Sequence, residues 1–157
     1  MDKMMSISST FQARLNDLIN EAVIERHIKK SELPKLLGID YSSFSNALEY
    51  GILPTPRVAV KMADYFGCSL GYLLGNSDDE YFVSAKTPSS FAERIVQLCA
   101  ERQVTFATVS RECSFYRGYL ARWVKQQYTP SWEYLELLAD YFHVSLDYLL
   151  GRTDETN

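Results

Sequence analysis

Apolar residues return every third or fourth position along most of this chain, an interval that gathers them on one face of a helix. Phe11, Leu15 and Leu18 form the first such stripe, opened by Ser9 or Thr10; Phe91, Ile95 and Leu98 form a later counterpart. Ser90 and Glu93 in front of the second stripe have capping-box spacing, in which each side chain satisfies an amide that a helix start leaves unpaired. A short second helix is predicted over Lys29 to Leu37, stopped by Gly38, and another over Thr105 to Cys113, with Thr105 as N-cap. Third helices follow over Tyr41 to Tyr50, capped by Asp40, and from about Tyr116 to Gln126. Pro54-Thr55-Pro56 and Pro130-Ser131 open fourth helices ending at Phe66 and Phe142, because Thr and Ser cap and Pro suits the first helical position. Ser69 and Ser145 cap a last turn, Leu-x-Tyr-Leu-Leu, closed by Gly75 and Gly151. No stretch shows the alternation and β-branched enrichment of a strand, so the class is all-α.

The order of elements occurs twice because the sequence does. Residues 63–75 and 139–151 agree at ten of thirteen positions, and both are followed by an acidic patch. The same register, without a gap, lays Pro54 on Pro130, Phe44 on Leu120, Leu33 on Val109 and Ile28 on Val104. Phe11 and Leu18 meet Phe91 and Leu98 only if the first copy holds four extra residues between Asn20 and His27, close to one helical turn. Five short helices with a brief turn between the second and third make a helix-turn-helix bundle. The expectation is two such bundles in tandem, at 1–78 and 90–157, with a linker at 79–89. The apolar trio Tyr81-Phe82-Val83 is expected to dock on one of them.

Composition narrows the function. Of 157 residues, 46% are hydrophobic and 23% charged, an ordinary soluble globular balance. No run of eighteen apolar residues and no leader-like segment behind Met1-Asp2-Lys3 is present, which gives a cytoplasmic address and no membrane partner. Cys68 aligns with Val144 and Cys113 with Leu37, so the thiols read as buried and inert. His27 and His143 stand opposite Gln103 and Gly67 with no partner, giving no metal site. No nucleophile and base fall at a convincing spacing; neither an enzyme nor a cofactor is expected. Net charge is −4, whereas phosphate contacts need clustered Lys and Arg, so any affinity for nucleic acid must come from one face. Most aromatics sit at helical core positions, but Tyr41, Tyr50, Tyr116, Tyr119 and Tyr128 gather around the two third helices.

Ser-Glu-Leu-x-Lys-Leu-Leu-Gly-Ile at 31–39, the Phe44 anchor, Pro54, and Leu-Ala-Asp-Tyr-Phe-x-Val-Ser-Leu-Asp-Tyr-Leu-Leu-Gly-Arg-Thr at 138–153 resemble the lambda-repressor-like, Cro-type helix-turn-helix family. The resemblance covers both copies and implies a third helix laid in the major groove of double-stranded DNA, usually in a transcriptional regulator. Its base-reading positions fall on Tyr41, Ser42 and Asn46 in the first copy and on Arg117, Gly118 and Arg122 in the second. Arginine pairs bidentately with guanine, and asparagine with adenine. Lys29 and Lys30 in the first copy, and Thr105, Lys125, Gln126 and Gln127 in the second, are placed for phosphate. The chain departs from the family where Lys30 and Phe106 replace its usual Gln, and where Pro34 replaces a small residue and should distort helix two. The third helix of the first copy carries no Lys or Arg.

Two functions follow. The first is a sequence-specific DNA-binding regulator better supported in its second copy. The alternative is a helix-turn-helix protein-interaction module, antitoxin-like or an accessory subunit, with little or no DNA binding; self-association or a protein partner engaged through the first copy is a further expectation.

Overall fold

The computed structural model describes residues 7–156, and the Met1-Asp2-Lys3 start lies outside them. It is built of helices, with no strand among the described residues. The chain divides into two compact units between Phe82 and Val83.

The first unit holds α1 (Ser9–Arg26), a 3₁₀ turn (Lys30–Glu32), α2 (Leu33–Leu37), α3 (Tyr41–Tyr50), α4 (Pro56–Phe66) and α5 (Leu70–Leu73). Its N-cap is Ser8, one residue earlier than expected, whose hydroxyl accepts from the Phe11 amide at 3.1 Å. Pro34 sits in the first turn of α2, where no backbone donor is missed; upstream of it the chain tightens into the 3₁₀ turn. Phe11, Leu15, Ile19, Leu33, Met62, Leu70 and Leu73 fill the core.

The second unit holds α6 (Phe91–Arg102), α7 (Phe106–Glu112), α8 (Tyr119–Gln126), α9 (Trp132–Phe142) and α10 (Leu146–Leu149). The Ser90–Glu93 capping box forms with bonds of 2.9 and 3.1 Å. Ile95, Leu98, Val109, Leu120, Leu135, Leu138, Phe142 and Leu149 form the core. At 18 residues α1 is longer than the 12-residue α6, as the extra turn in its sequence requires.

Left-handed residues recur in register: His27 with Gln103, Gly38 with Ser114, Gly51 with Gln127, Gly67 with His143 and Gly75 with Gly151. Gly151 does more than turn. A Cβ there would lie 1.8 Å from the Ser89 carbonyl oxygen, because the segment before α6 crosses the C-terminal segment at this point. Ala85 and Ser89 donate to the carbonyls of Arg152 and Gly151, and Thr153 Oγ1 donates to Val83 O at 2.7 Å. Residues 83–89 therefore belong to the second unit's packing. Tyr81-Phe82-Val83 does not dock as a trio: Tyr81 is 70% exposed and the division falls inside the group.

Paired arginines brace both units. Arg14 on α1 lies 4.1 Å from the Tyr72 ring centre and donates to the carbonyls of Tyr72 (2.6 Å) and Ser77 (2.7 Å). Arg94 on α6, 5% exposed, lies 3.9 Å from the Tyr148 ring centre and donates to Tyr148 O (2.7 Å) and Thr153 O (3.0 Å). Each guanidinium meets acceptors from the last helix and the segment behind it, joining the two ends of its unit. Arg26 stacks on Tyr65, and Arg102 donates to Phe142 O at 2.6 Å while facing that ring. Arg152 makes a buried ion pair with Asp147.

Candidate nucleic-acid interface

Helices α7 and α8 form the helix-turn-helix of the second unit. Thr105 caps α7, its hydroxyl accepting from the Thr108 amide at 3.1 Å, so its first role is structural. The third helix starts later than the sequence suggests, and the cap explains why. In the first unit, Asp40 accepts from the Ser43 amide at 2.9 Å and from its hydroxyl at 2.8 Å. Those bonds hold the Asp40 carboxyl below the usual range. Tyr116 stands at the equivalent place and offers no short acceptor to the amides ahead. Helix α8 instead opens at Tyr119, behind Gly118, whose φ of +86° is left-handed. Gly118 and Arg117 therefore precede the helix, whereas the sequence places both inside it. A Cβ on Gly118 would meet nothing within 4 Å, so the glycine serves its backbone conformation and leaves space in front of it open.

Leu120 and Trp123 bury one side of α8, while Ala121, Arg122, Lys125 and Gln126 are exposed on the other. Gln127 is the left-handed stop, and its amide reaches Val124 O at 3.5 Å. The Arg122 guanidinium lies 5.0 Å from the Tyr119 ring centre. Tyr119 in turn packs edge-on against Tyr116 (5.3 Å) and Tyr134 (6.0 Å), and Trp123 packs on Phe115 and Tyr134. This aromatic base packs beneath α8.

Arg111, which sequence reasoning did not single out, shares a cleft of about 670 Å³ with Arg117, Gly118 and Ala121. Its signal was present, since Lys35 occupies the matching place in the first copy. Of the second unit's eight basic residues, Arg94 and Arg152 are buried in its interior and the exposed Arg102 is held on the Phe142 carbonyl; of the other five, all exposed, Arg111, Arg117, Arg122 and Lys125 lie along α7, the turn and α8, and Lys86 lies ahead of α6. Four of the six exposed basic groups of the second unit thus lie on one motif.

The first unit arranges the same elements differently. Tyr41 and Ser42 are exposed at the start of α3, whereas Asn46 is half-buried and its carbonyl accepts from Ile52. Lys29 and Lys30 are exposed ahead of α2, and the Lys29 amide donates to the Glu32 carboxylate at 2.7 Å. The loop after α3, placed to grip phosphate in the resembled fold, is engaged by the unit's own start. Ser8 N–H donates to Gly51 O at 2.9 Å, Ile7 bridges to Ile52, and the Gln12 amide donates to the Leu48 and Glu49 carbonyls.

Elsewhere, Cys68, Cys99 and Cys113 are all buried, and burial pushes the Cys99 and Cys113 thiols up. Among the described residues no His, Cys, Asp and Glu side chains group to hold a metal ion, and no helix is long and apolar enough to cross a membrane.

No curated protein and no solved structure matches this chain. Residues 6–136, a span that reaches into α9, match the BetR domain, and the chain belongs to that family.

Proposed function

We propose that this chain is a sequence-specific double-stranded DNA-binding regulator in which the second unit is the principal reader, with α8 in the major groove. BetR domains are a helical, helix-turn-helix-like DNA-binding family, and membership supports a DNA-binding regulatory module. The observation that carries the finer reading is the division of labour among basic side chains. Arg94 and Arg152 are buried inside the second unit and Arg102 is tied to the Phe142 carbonyl, while Arg111, Arg117, Arg122 and Lys125 stay exposed on the helix-turn-helix. That distribution lets a chain of net charge −4 present a phosphate-compatible face. Within this reading, the likeness to Cro-type domains and the duplication supply the tandem arrangement. Selecting bound sequences from a random duplex pool at near-physiological salt tests it: an enriched motif supports the reading, and no enrichment sinks it.

For the first unit we propose a partner-binding role, on the observation that its α3 lacks Lys and Arg and its α3–α4 loop is occupied by Ile7 and Ser8. Exposed Ile7 and Tyr50 flank that loop. Fragments 1–82 and 83–157, footprinted on the selected site beside the full chain, decide the matter. A second fragment that reproduces the whole footprint supports this division; a footprint that needs both fragments refutes it.

A further inference from the structure

A cleft between the second and third helices exists in both units, and the second unit's is the more apolar. In the first it encloses about 760 Å³, extends over α1, and has Pro34, Phe44 and Leu48 in its lining beside Lys30, Ser31, Tyr41 and Ser45, side chains able to donate hydrogen bonds. In the second, Phe106, Ala107, Arg117 and Ala121 take those four places. At three of the four places a hydrogen-bonding side chain has become apolar and at the fourth Arg117 stands for Tyr41, with Phe115, Ser110 and Arg111 completing the lining beside Gly118. Ala107 and Ala121 are exposed, and Gly118 adds no side chain to fill the space. An apolar wall beside arginines has no use against phosphate, which is held by charge and hydrogen bonds. It fits the one apolar group that a base edge shows in the major groove, the C5-methyl of a pyrimidine, which Ala and Phe side chains contact.

We propose that the α7–α8 cleft of the second unit recognises the C5-methyl group of a pyrimidine, with Ala121, Ala107 and Phe106 as specificity-determining residues, beside a guanine read by Arg117 or Arg122. This rests on the DNA-binding reading above. The methyl group belongs to thymine in unmodified DNA and to 5-methylcytosine in methylated DNA; the cleft sees the same chemistry in either. The first unit, whose cleft offers hydroxyls and a lysine in the same places, makes no such contact.

The test uses the full chain and a duplex selected from the random pool. Each thymine is replaced singly by deoxyuridine, and each cytosine singly by 5-methylcytosine. Burying one methyl group predicts a roughly three- to fivefold loss at one deoxyuridine position if thymine is the natural occupant. A gain of similar size at one 5-methylcytosine position assigns the cleft to methylated DNA. Ala121→Ser, which restores the first unit's residue on an exposed surface, should abolish that discrimination while leaving the melting transition and the guanine preference in place. Unchanged affinity for every substituted duplex, by a chain that still binds its selected site, overturns the cleft assignment and leaves the DNA-binding reading standing. Failure to select any site overturns both.

Discussion

The third helices of the two units begin for different reasons, and the contrast shows how one bundle yields two surfaces. In α3 an aspartate cap starts the helix directly at Tyr41, over Phe44 and Ala47, and displays serines, Asn46 and Glu49. In α8 the cap is absent, the helix starts after a left-handed glycine, and Trp123 occupies the place of Ala47. Large rings fill the volume beneath α8, and the arginines border a more apolar cleft. The helices that brace the bundle, α4 with α9 and α5 with α10, run over matching residues in the same register. The units differ in their first three helices and agree in their last two.

The largest expected effect breaks that contrast at its base. Trp123→Ala should cost the second unit about 3 to 5 kcal/mol, since a buried indole leaves a cavity whose ring neighbours cannot close it. Denaturant unfolding followed by circular dichroism measures this, and a loss under about 1 kcal/mol would show that the aromatic base does not hold α8.

Removing the reading groups sharpens the comparison at the surface. Arg117→Ala and Arg122→Ala should each weaken specific binding by about 1 to 3 kcal/mol and relax preference at one base pair. Lys125→Ala should weaken all sequences alike and lower the salt slope by about one. Tyr41→Ala and Ser42→Ala should change affinity less than either arginine substitution. Equal losses from both third helices, measured by titration at several salt concentrations, would erase the proposed asymmetry.

Smaller differences appear at the extremes of pH. Tyr141 donates to Glu112 at 2.6 Å, and this bond, aided by burial, pushes its hydroxyl up to about 12 from 10.0. Because the folded value is the higher one, the stabilisation is complete below pH 10.0 and disappears as pH rises through about 12. Leu36 stands at the place of Glu112 in the first unit, so Tyr65 has no equivalent bond to lose. Tyr141→Phe should flatten the alkaline limb of unfolding, and tyrosinate absorbance should show one late-titrating group that the variant lacks. Asp40 works in the opposite direction: its lowered carboxyl stabilises α3 at neutral pH, and that contribution is lost as pH falls below 3.8 through its folded value. Asp40→Asn should remove this acid-limb sensitivity from the first unit, measured by helicity between neutral and acid pH. An unchanged acid limb would mean that the cap bonds are not maintained in solution.

Much of the fold was legible because its signals are local. Helical spacing, Ser and Thr caps, prolines at helix starts and the repeated Ala-Asp-Tyr-Phe block each act within a few residues, and so the order of elements and the bounds of α3, α4, α5, α9 and α10 follow from the chain itself. The extra turn of α1 was legible for the same reason. The start of α8 was not, because the decisive fact is a missing cap at Tyr116 combined with the left-handed Gly118. Of the expected site residues, Arg122, Lys125 and Gln126 lie exposed on α8, Arg117 precedes it, and Thr105 is tied up in capping.

By itself the sequence determined an all-helical chain whose pattern is written twice and whose second copy carries arginines near its third helix. Only the tertiary structure decided which basic groups remain available to a partner. Arg94 finds its acceptors on Tyr148 and Thr153, and Arg102 on Phe142, residues far along the chain that only folding brings near. The same holds for the clefts, whose walls come from separate helices. Periodicity reports which side of a helix is buried, but whether a charged side chain spends its hydrogen bonds inward or keeps them for a ligand depends on carbonyls and rings supplied by distant segments.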